Sequence, residues 1–463
     1  MTNTMLVDSI MTRLRDEVEA LFESVSFESD LLDTMEERGR QFALRCGAVA
    51  FEAMLDRSLE EQRFGYVGES VPSVAEGRAI FERYETRWVL THLGRFRVRR
   101  AYYWDAHNGT GRIPLDEKWE LDEREPSPSL RRSIGMVGAS GPFAHGRKLM
   151  RQLALLDLPE KRLQESSEAL GAQIQRVAEE AASRSEPMLR DPKVGVPEVP
   201  ASQRHGTLYI QMDGGRLNTT TDGWREPKVA TMYWADDVVE VSKDRREVLK
   251  KEYIATLGDA DVLAKRLWEV ACRWQWWTAR QVVVLGDGAE WIWNRAKELF
   301  PEAVQILDLY HVEEHIWEVA RQLYGGRGPQ KDKGARNVIK LSAKDIKTGH
   351  WARARIEELK HGDVDAIISN LHRRRPRRAE AKQAVDDLVG YLDGNRSRMD
   401  YPTYVDRGLI VGSGSIESGV KNVVNQRMKG CGMRWAVDRA DHMLHLRAAF
   451  LSDVGPAHAL FAA

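Results

Sequence analysis

The feature that most constrains the fold is the uninterrupted apolar run Val282-Val283-Val284-Leu285. An apolar run that does not alternate with polar residues is typical of a strand covered on both faces of a parallel sheet. It precedes a helical pattern at residues 291–299 and a strand pattern at residues 304–307. Two more strand patterns, at residues 208–212 and 228–234, come earlier in the chain. Strands first, followed by strand–helix alternation, predict a mixed α/β sheet.

The neighbouring segments complete this predicted α/β domain. We predict a third strand near residues 238–241, a helix over residues 261–274 and another helix over residues 311–323. From about residue 325 to residue 398 the chain is polar, basic and helical, with no strand pattern, which indicates a helical insertion. A last helix is predicted at residues 415–428.

The N-terminal part combines helices with a basic hairpin. Apolar residues spaced three and four apart predict helices from Met1 to about Glu69. Between Arg95 and Arg99 the arginines alternate with apolar residues, so Arg95, Arg97 and Arg99 share one face of a strand. Residues 87–91 would pair with that strand across a turn at Gly94. The basic face is either solvated or in contact with phosphates, and the pattern leaves both open.

A proline–serine cluster at residues 126–129 marks a boundary. Three short helical patterns follow, which suggest a helix-turn-helix-like DNA-binding module, and four prolines between Pro187 and Pro200 indicate a linker. The predicted segments are an N-terminal helical region (1–75), a basic β-hairpin region (76–125), the helix-turn-helix-like module (126–186), the proline-rich linker (187–204), the first part of the α/β domain (205–324), the helical insertion (325–400) and the second part of the α/β domain (401–463).

Composition indicates where in the cell the protein is expected and which kinds of cysteine and nucleic-acid site the chain could have. The 463 residues are 42% hydrophobic and 30% charged, and neither a membrane-spanning run nor a secretory signal is present, so we expect a cytoplasmic protein. Cys46, Cys272 and Cys431 lie too far apart to indicate a disulfide framework or a paired-cysteine zinc site. The net charge of −1 does not by itself indicate nucleic acid, but basic residues are concentrated in separate stretches that could neutralise phosphates locally.

Three carboxylates stand where the predicted domain could bind a ligand. Asp213 is on the polar side of its strand and precedes a Gly214-Gly215 turn, and Asp287 follows the buried run, beyond the carboxyl end of its strand. Each could equally be an ordinary turn residue. Glu417 stands in the first turn of the last helix, where it could simply complement the helix dipole. The chain beyond Glu417 is basic, which suits a metal ligand beside a phosphate backbone.

Several short blocks in a fixed order resemble bacterial insertion-sequence transposases. The similarity is to the Kra-type family, which is related to the mutator-like transposases, and it runs through most of residues 206–450 and more loosely over residues 96–115. The blocks are Gln211-Met212-Asp213-Gly214-Gly215, Asp222-Gly223-Trp224-Arg225-Glu226, the segment from Leu285 to Trp293, Ile306-Leu307-Asp308-Leu309-Tyr310-His311, the segment from Gly412 to Ser418, and Gly432-Met433-Arg434-Trp435.

The resemblance implies a ribonuclease-H-like fold that a helical insertion interrupts before the last catalytic helix. Asp213, Asp287 and Glu417 would be the three catalytic acids, holding two Mg²⁺ ions, with Mn²⁺ as a possible substitute. Asp308 and His311 match the Asp-x-x-His signature of such enzymes and would support the ligands from outside. Asp308 also follows a strand, so it is the rival to Asp287 as the second metal ligand. The family's N-terminal cysteine pairs are missing here, so no zinc site is implied.

The partner implied by the resemblance is double-stranded DNA, both the terminal inverted repeats of a mobile element and the target. We expect a homodimer or larger assembly, associated with the nucleoid and not with a membrane. A nuclease or resolvase without strand transfer, or a transposase-derived DNA-binding regulator without catalysis, is the alternative. The predicted DNA contacts are Arg95, Arg97, Arg99, Lys421, Arg427, Lys429 and Arg434.

Overall fold

A computed structural model describes residues 3–26, 31–73, 77–191, 194–242, 245–326 and 342–461. The chain is mixed α/β, 58% helical and 19% strand, so the predicted α/β class is confirmed. It divides into two compact units, Met1–Leu170 and Gly171–Ala463. In the described residues, no helix is long and apolar enough to cross a membrane.

The first unit contains helices and one antiparallel sheet, whose strand order is β1-β2-β3-β4. The boundary between the two units falls within its last helix, α6. Its elements are α1 (Asn3–Ser24), α2 (Leu32–Glu61), β1 (Ser70–Pro72), β2 (Arg78–Thr91), β3 (Gly94–Asp105), β4 (Thr110–Arg112), α3 (Pro114–Lys118), α4 (Pro128–Ser140), α5 (Phe143–Ala154) and α6 (Glu160–Arg190).

The predicted hairpin is formed by β2 and β3, with Trp88 opposite Arg97 and the turn at Gly94. Phe96 and Val98 are buried and the three arginines between and beside them are exposed, as the alternation predicts. Beyond Arg99 the alternation inverts, and Ala101 and Tyr103 are fully buried. The inversion has a packing cause, because a second apolar cluster, which includes Val71 and Ala79, covers the other face of this end of the hairpin.

The three predicted helices after residue 126 are α4, α5 and α6. They enclose a small core that includes Leu130, Ile134, Met150 and Leu163. The last helix is longer than predicted, since it runs through Pro187 to Arg190, and the expected start of the linker at residue 187 was wrong. Pro187 has no N–H, so the carbonyl four residues upstream loses its helical donor, and the helix ends three residues later at Arg190.

The second unit is built on a five-stranded sheet of order β11-β8-β5-β12-β13. β5 is antiparallel to β8, which is antiparallel to β11, whereas β5, β12 and β13 run parallel. The elements up to the insertion are β5 (His205–Gly214), β6 (Leu217–Asn218), β7 (Trp224–Arg225), β8 (Lys228–Trp234), β9 (Val238–Ser242), β10 (Arg245–Val248), β11 (Glu252–Thr256), α7 (Ala260–Arg273), β12 (Ala279–Gly286), α8 (Glu290–Leu299), β13 (Val304–Leu307) and α9 (Leu309–Tyr324).

The third strand of this sheet differs from the prediction. The predicted segment forms β9, which pairs only with β10 in a separate hairpin, and the sheet instead takes β11. β11 was not predicted, because it starts with a charged residue, Glu252, that is nevertheless buried. Arg273 holds the two Glu252 carboxylate oxygens at 2.8 and 2.9 Å, and Trp274 Nε1 donates to one of them at 2.7 Å, which makes a buried carboxylate acceptable.

The described part of the insertion is helical, as predicted, while residues 327–341 lie outside the described residues. Tyrosines near its end cover the outer edge of the sheet: the Tyr401 hydroxyl donates to Leu307 O at 3.0 Å, and that of Tyr404 donates to Gln305 O at 3.4 Å. An edge strand capped in this way cannot pair with another strand. The helices are α10 (Ala343–Lys360), α11 (Val364–His372), α12 (Ala379–Gly394) and α13 (Tyr401–Asp406).

The predicted last helix is interrupted by a π-helical turn. It consists of α14 (Gly414–Val420), the π-turn (Lys421–Asn425) and α15 (Gln426–Met428), and α16 (Val437–Leu451) follows. The buried side of the helix continues through the turn, with Ile416, Val420, Val424 and Met428 all buried. Arg447 of α16 donates to the carbonyls of Val423 (2.7 Å) and Asn422 and so stabilises this turn.

Candidate active site

Two predicted acids meet at the carboxyl edge of the central sheet. Gln211 of β5 pairs with Leu285 of β12 in parallel register, and Asp213 and Asp287 each lie two residues further on. Burial, followed by the negative charge of Asp287, raises the pKa of Asp213 to about 6; the charge of Asp308 acts in the same direction. The Gly214 amide and His311 oppose the shift. The charge of Asp287 therefore acts on the carboxyl group of Asp213.

Asp213 is half-buried, and its Oδ1 accepts the Gly214 amide at 2.7 Å. The Glu226 side chain lies against this turn, since a Cβ on Gly214 would be 2.1 Å from Glu226 Oε1. Glu226 is exposed and ion-paired with Lys228 at 2.9 Å, so a further carboxylate lies beside the turn that follows Asp213. The sequence blocks include Glu226, but its spacing gave no indication that it comes close to Asp213.

Asp287 is held at both its side chain and its main chain. Its Oδ1 accepts the Ala289 amide at 3.0 Å, and its carbonyl oxygen accepts the Tyr391 hydroxyl at 2.7 Å. Gly288, at φ +104°, gives the loop a conformation that other residues rarely adopt. Among the described residues, no hydrogen bond reaches Asp287 Oδ2, which leaves that oxygen available to a ligand.

Asp308 has a different setting, because it is 2% exposed and both of its carboxylate oxygens are in use. Oδ1 accepts the Tyr310 amide at 2.8 Å as the N-cap of α9, and Oδ2 accepts the Ser413 hydroxyl. Its own amide donates to Gly286 O at 2.9 Å. Asp308 thus joins the end of β12, the start of α9 and the loop before α14. This setting favours Asp287 over Asp308 as a metal ligand.

Glu417 is exposed in the first turn of α14, and that turn is anchored on β5. The Ile416 amide donates to Gln211 Oε1 at 3.0 Å, and Gln211 is fully buried, with its amide donating to Tyr233 at 2.8 Å. The anchor is two residues from Asp213, so the helix start lies beside the acid-bearing strand. The sequence did not identify Gln211 as the residue that docks this helix.

The residues fit a divalent cation in part. Carboxylate oxygens are the ligands that Mg²⁺ and Mn²⁺ prefer, and a cation between Asp213 and Asp287 would remove the repulsion that raises the pKa of Asp213. Within the described ranges, however, no three histidine, cysteine or acidic residues are already gathered as a metal site. The structure therefore brings Asp213 and Asp287 together and docks the start of the Glu417 helix on β5, but it does not gather these three described acids into one cluster.

His311 lies in the first turn of α9 and is half-buried. It is one of the groups that lower the pKa of Asp213, so it lies on the same side of the sheet edge as the acid pair. Its Nδ1 is 3.8 Å from the exposed carboxylate of Glu314. His311, which the resemblance assigns to the support of the metal ligands, thus lies close enough to Asp213 to act on its carboxyl group.

The arginines of the β2–β3 hairpin differ in their partners. Arg95 is paired with Glu125. Arg97 and Arg99 have no carboxylate within ion-pair distance among the described residues. Aromatic rings hold them instead, with the Arg97 guanidinium 5.8 Å from the Trp88 ring centroid and that of Arg99 4.5 Å from the centroid of Tyr84. These two exposed cations are available to an external anion.

The basic residues beyond Glu417 differ in their exposure. Lys421, Lys429 and Arg434 are exposed. The prediction of Arg427 as a DNA contact was wrong, because Arg427 is 1% exposed and its guanidinium lies 5.1 Å from the Trp435 ring centroid. The chain after α15 turns back, and its Trp435 covers this part of the helix; Trp435 Nε1 donates to Met428 O at 3.0 Å.

Comparisons with known proteins give this chain no family: no protein-family model matches it, and no curated protein matches it.

Proposed function

We propose that this chain is a DNA transposase that cleaves the ends of its mobile element and joins the 3′-hydroxyl ends to target DNA. The observation that carries the proposal is the pairing of Asp213 and Asp287 at the carboxyl edge of β5 and β12, with the Glu417 helix anchored on β5 through Gln211. These are the three acids that the resemblance to insertion-sequence transposases assigns to catalysis.

The strand order supports the ribonuclease-H-like fold that the resemblance implies. The first strand, β5, lies at the centre of the sheet, with antiparallel β8 on one side and parallel β12 on the other. The chain then adds β13, passes through the helical insertion and returns with the Glu417 helix. Asp213 and Asp287, at the ends of the first and fourth strands of this sheet, and Glu417, on the returning helix, are the acids that the proposed chemistry would use.

Divalent cations held by Asp213, Asp287 and Glu417 would stabilise charge on the phosphate and activate the attacking oxygen. Other properties of the chain affect the charge and the position of these ligands. Asp213, whose pKa is raised to about 6, would be protonated in part near neutral pH without metal and would give up that proton as a metal ligand. Asp308 and Ser413 hold the loop before the Glu417 helix, and His311 is placed to compensate negative charge at Asp213.

The DNA would be held by exposed cations in each unit. In the first unit these are Arg97 and Arg99, which are free of carboxylates in the described residues. In the second unit they are Lys421, Lys429 and Arg434. Phosphate contacts of this kind give affinity without base specificity. We further propose that two or more copies act together on paired element ends at the nucleoid, since two ends must be joined to one target.

The test uses the full chain and a duplex carrying the terminal inverted repeats that flank its gene, in Mg²⁺. Asp213→Asn, Asp287→Asn and Glu417→Gln should each slow cleavage about a hundredfold or more, because each removes several kcal/mol of charge stabilisation. Binding of the duplex should stay within about threefold of the unmodified chain. Glu380→Gln is the matched control, since Glu380 is also an exposed acid in the first turn of a helix.

Different outcomes separate the proposal from its alternatives. Full cleavage by Asp287→Asn would contradict the assignment of the acids. Cleavage without strand-transfer products would indicate a nuclease or resolvase. Specific binding with no cleavage in Mg²⁺ or Mn²⁺ would indicate a DNA-binding regulator.

A further inference from the structure

Tyr391 of α12 connects the helical insertion to the loop that carries Asp287. Its hydroxyl donates to the Asp287 carbonyl oxygen at 2.7 Å. Its ring lies against the next residue, because a Cβ on Gly288 would be 2.6 Å from Tyr391 Cε2. Nothing in the spacing of the sequence connects these residues, which are 104 positions apart.

The surroundings of Tyr391 keep it in this position. Asn395 Nδ2 donates to the Tyr391 carbonyl at 2.9 Å, and Asn395 is itself buried. The His315 ring packs against the phenol ring, with centroids 4.6 Å apart.

The hydrogen bond from Tyr391 completes the immobilisation of Asp287. The Ala289 amide fixes carboxylate Oδ1 at 3.0 Å, and the Tyr391 hydroxyl fixes the peptide plane that follows Asp287. With both groups held, Oδ2 can point in only a narrow range of directions. A metal ligand that is oriented by outer hydrogen bonds binds more tightly than one that must first be ordered.

We propose that Tyr391 is a positioning residue for Asp287, through which the helical insertion sets the divalent-cation affinity of the acid pair. This inference rests on the proposed function, since it takes Asp287 as a metal ligand. It assigns to the insertion a part in building the site.

The chain provides a matched control for Tyr391. Tyr401, from the segment after α12, also donates a phenol hydrogen bond to a main-chain carbonyl of the sheet, Leu307 O, at 3.0 Å. That carbonyl belongs to β13 and not to the Asp287 loop. Tyr391→Phe and Tyr401→Phe therefore remove the same group and the same kind of bond, and they differ in which loop loses it.

The experiment measures Mn²⁺ binding to the full chain by calorimetry and by electron paramagnetic resonance, without DNA. Tyr391→Phe should weaken Mn²⁺ affinity about tenfold, whereas Tyr401→Phe should leave it within about twofold. In DNA cleavage, the Mn²⁺ concentration giving half the maximal rate should rise about tenfold for Tyr391→Phe, and saturating Mn²⁺ should restore the rate. A general loss of stability would not weaken Mn²⁺ affinity in Tyr391→Phe while leaving it nearly unchanged in Tyr401→Phe.

The outcomes also separate this inference from the proposed function. If Asp287→Asn loses Mn²⁺ affinity while Tyr391→Phe binds as tightly as the unmodified chain, the role of Tyr391 is excluded and the metal site stands. Equal weakening in Tyr391→Phe and Tyr401→Phe would also exclude it. Unchanged Mn²⁺ affinity in Asp287→Asn would overturn the proposed site itself, and this inference with it.

Discussion

At the scale of single residues, Asp213 carries a carboxyl group whose ionisation the fold opposes. Burial and the charge of Asp287 raise its pKa to about 6 from an ordinary value of 3.8. The folded chain therefore holds this proton more tightly than the unfolded chain does. Without metal, the free energy of unfolding should fall as pH rises from about 4 to about 6, and the loss should be complete above that window.

Asp213→Asn should remove this penalty. In the metal-free protein at pH 8 the variant should be more stable than the unmodified chain by up to about 3 kcal/mol, and at pH 4 the difference should vanish. Urea unfolding in EDTA at the two pH values measures it. A stability difference that is the same at pH 4 and pH 8 would mean that Asp213 is not held beside a second charge.

Asp308 and Asp287 should respond differently to truncation. Asp308→Ala leaves the buried Ser413 hydroxyl and the Tyr310 amide without their acceptor, so it should lower the free energy of unfolding by about 2–4 kcal/mol. Asp287→Ala should lower the free energy of unfolding by about 1 kcal/mol or less. Asp287 is only half-buried, and its negative charge repels that of Asp213. Equal losses in metal-free urea unfolding would contradict the structural role given to Asp308.

The sequence could identify acids but not their distant partners. Asp213 and Asp287 were recognisable because strand ends and turn glycines are local signals. Ser413 and Tyr391 were not, because each acts on a residue about a hundred positions earlier and has no local signature. Arg427 was misassigned because its burial depends on Trp435, which packs over it from beyond the end of the helix.

At the scale of elements, the β2–β3 hairpin gives a prediction that depends on ion pairing. Arg97→Ala and Arg99→Ala should each weaken duplex DNA binding and reduce the slope of log affinity against log salt by about one. Arg83→Ala on the same hairpin is the control, because Arg83 is already paired with Glu82 and Glu85. Fluorescence anisotropy over a KCl series measures the slopes, and unchanged slopes for Arg97→Ala and Arg99→Ala would place the DNA elsewhere.

Whether a segment forms a helix or a strand could be predicted where the spacing of its apolar side chains matches the faces that are buried. The unbroken apolar run of β12 and the alternation in β3 both follow from which faces are covered. β11 was missed because its pattern starts with a buried glutamate that only Arg273 and Trp274 make acceptable. The π-turn after α14 was not predictable, because residues spaced three and four apart also share one side of an ordinary α-helix.

At the scale of the whole molecule, the second unit places Asp213 and Asp287 at one sheet edge and docks the Glu417 helix on β5. The order of the strands could be anticipated only through the resemblance, because periodicity specifies strands and not their neighbours. The insertion is likewise anticipated as an element, but its contact with the Asp287 loop depends on tertiary packing. The two units are each compact, and residues proposed to contact DNA occur in both.

The central claim is that Asp213 and Asp287 form a divalent-cation site next to Glu417. Crystals of the full chain grown with MnCl₂ test it directly, because anomalous scattering locates Mn²⁺ without reference to activity. We expect an anomalous peak within roughly 2.5 Å of carboxylate oxygens of both Asp213 and Asp287. A structure in which Mn²⁺ binds only elsewhere, with these two carboxylates free of metal at saturating MnCl₂, would contradict the claim.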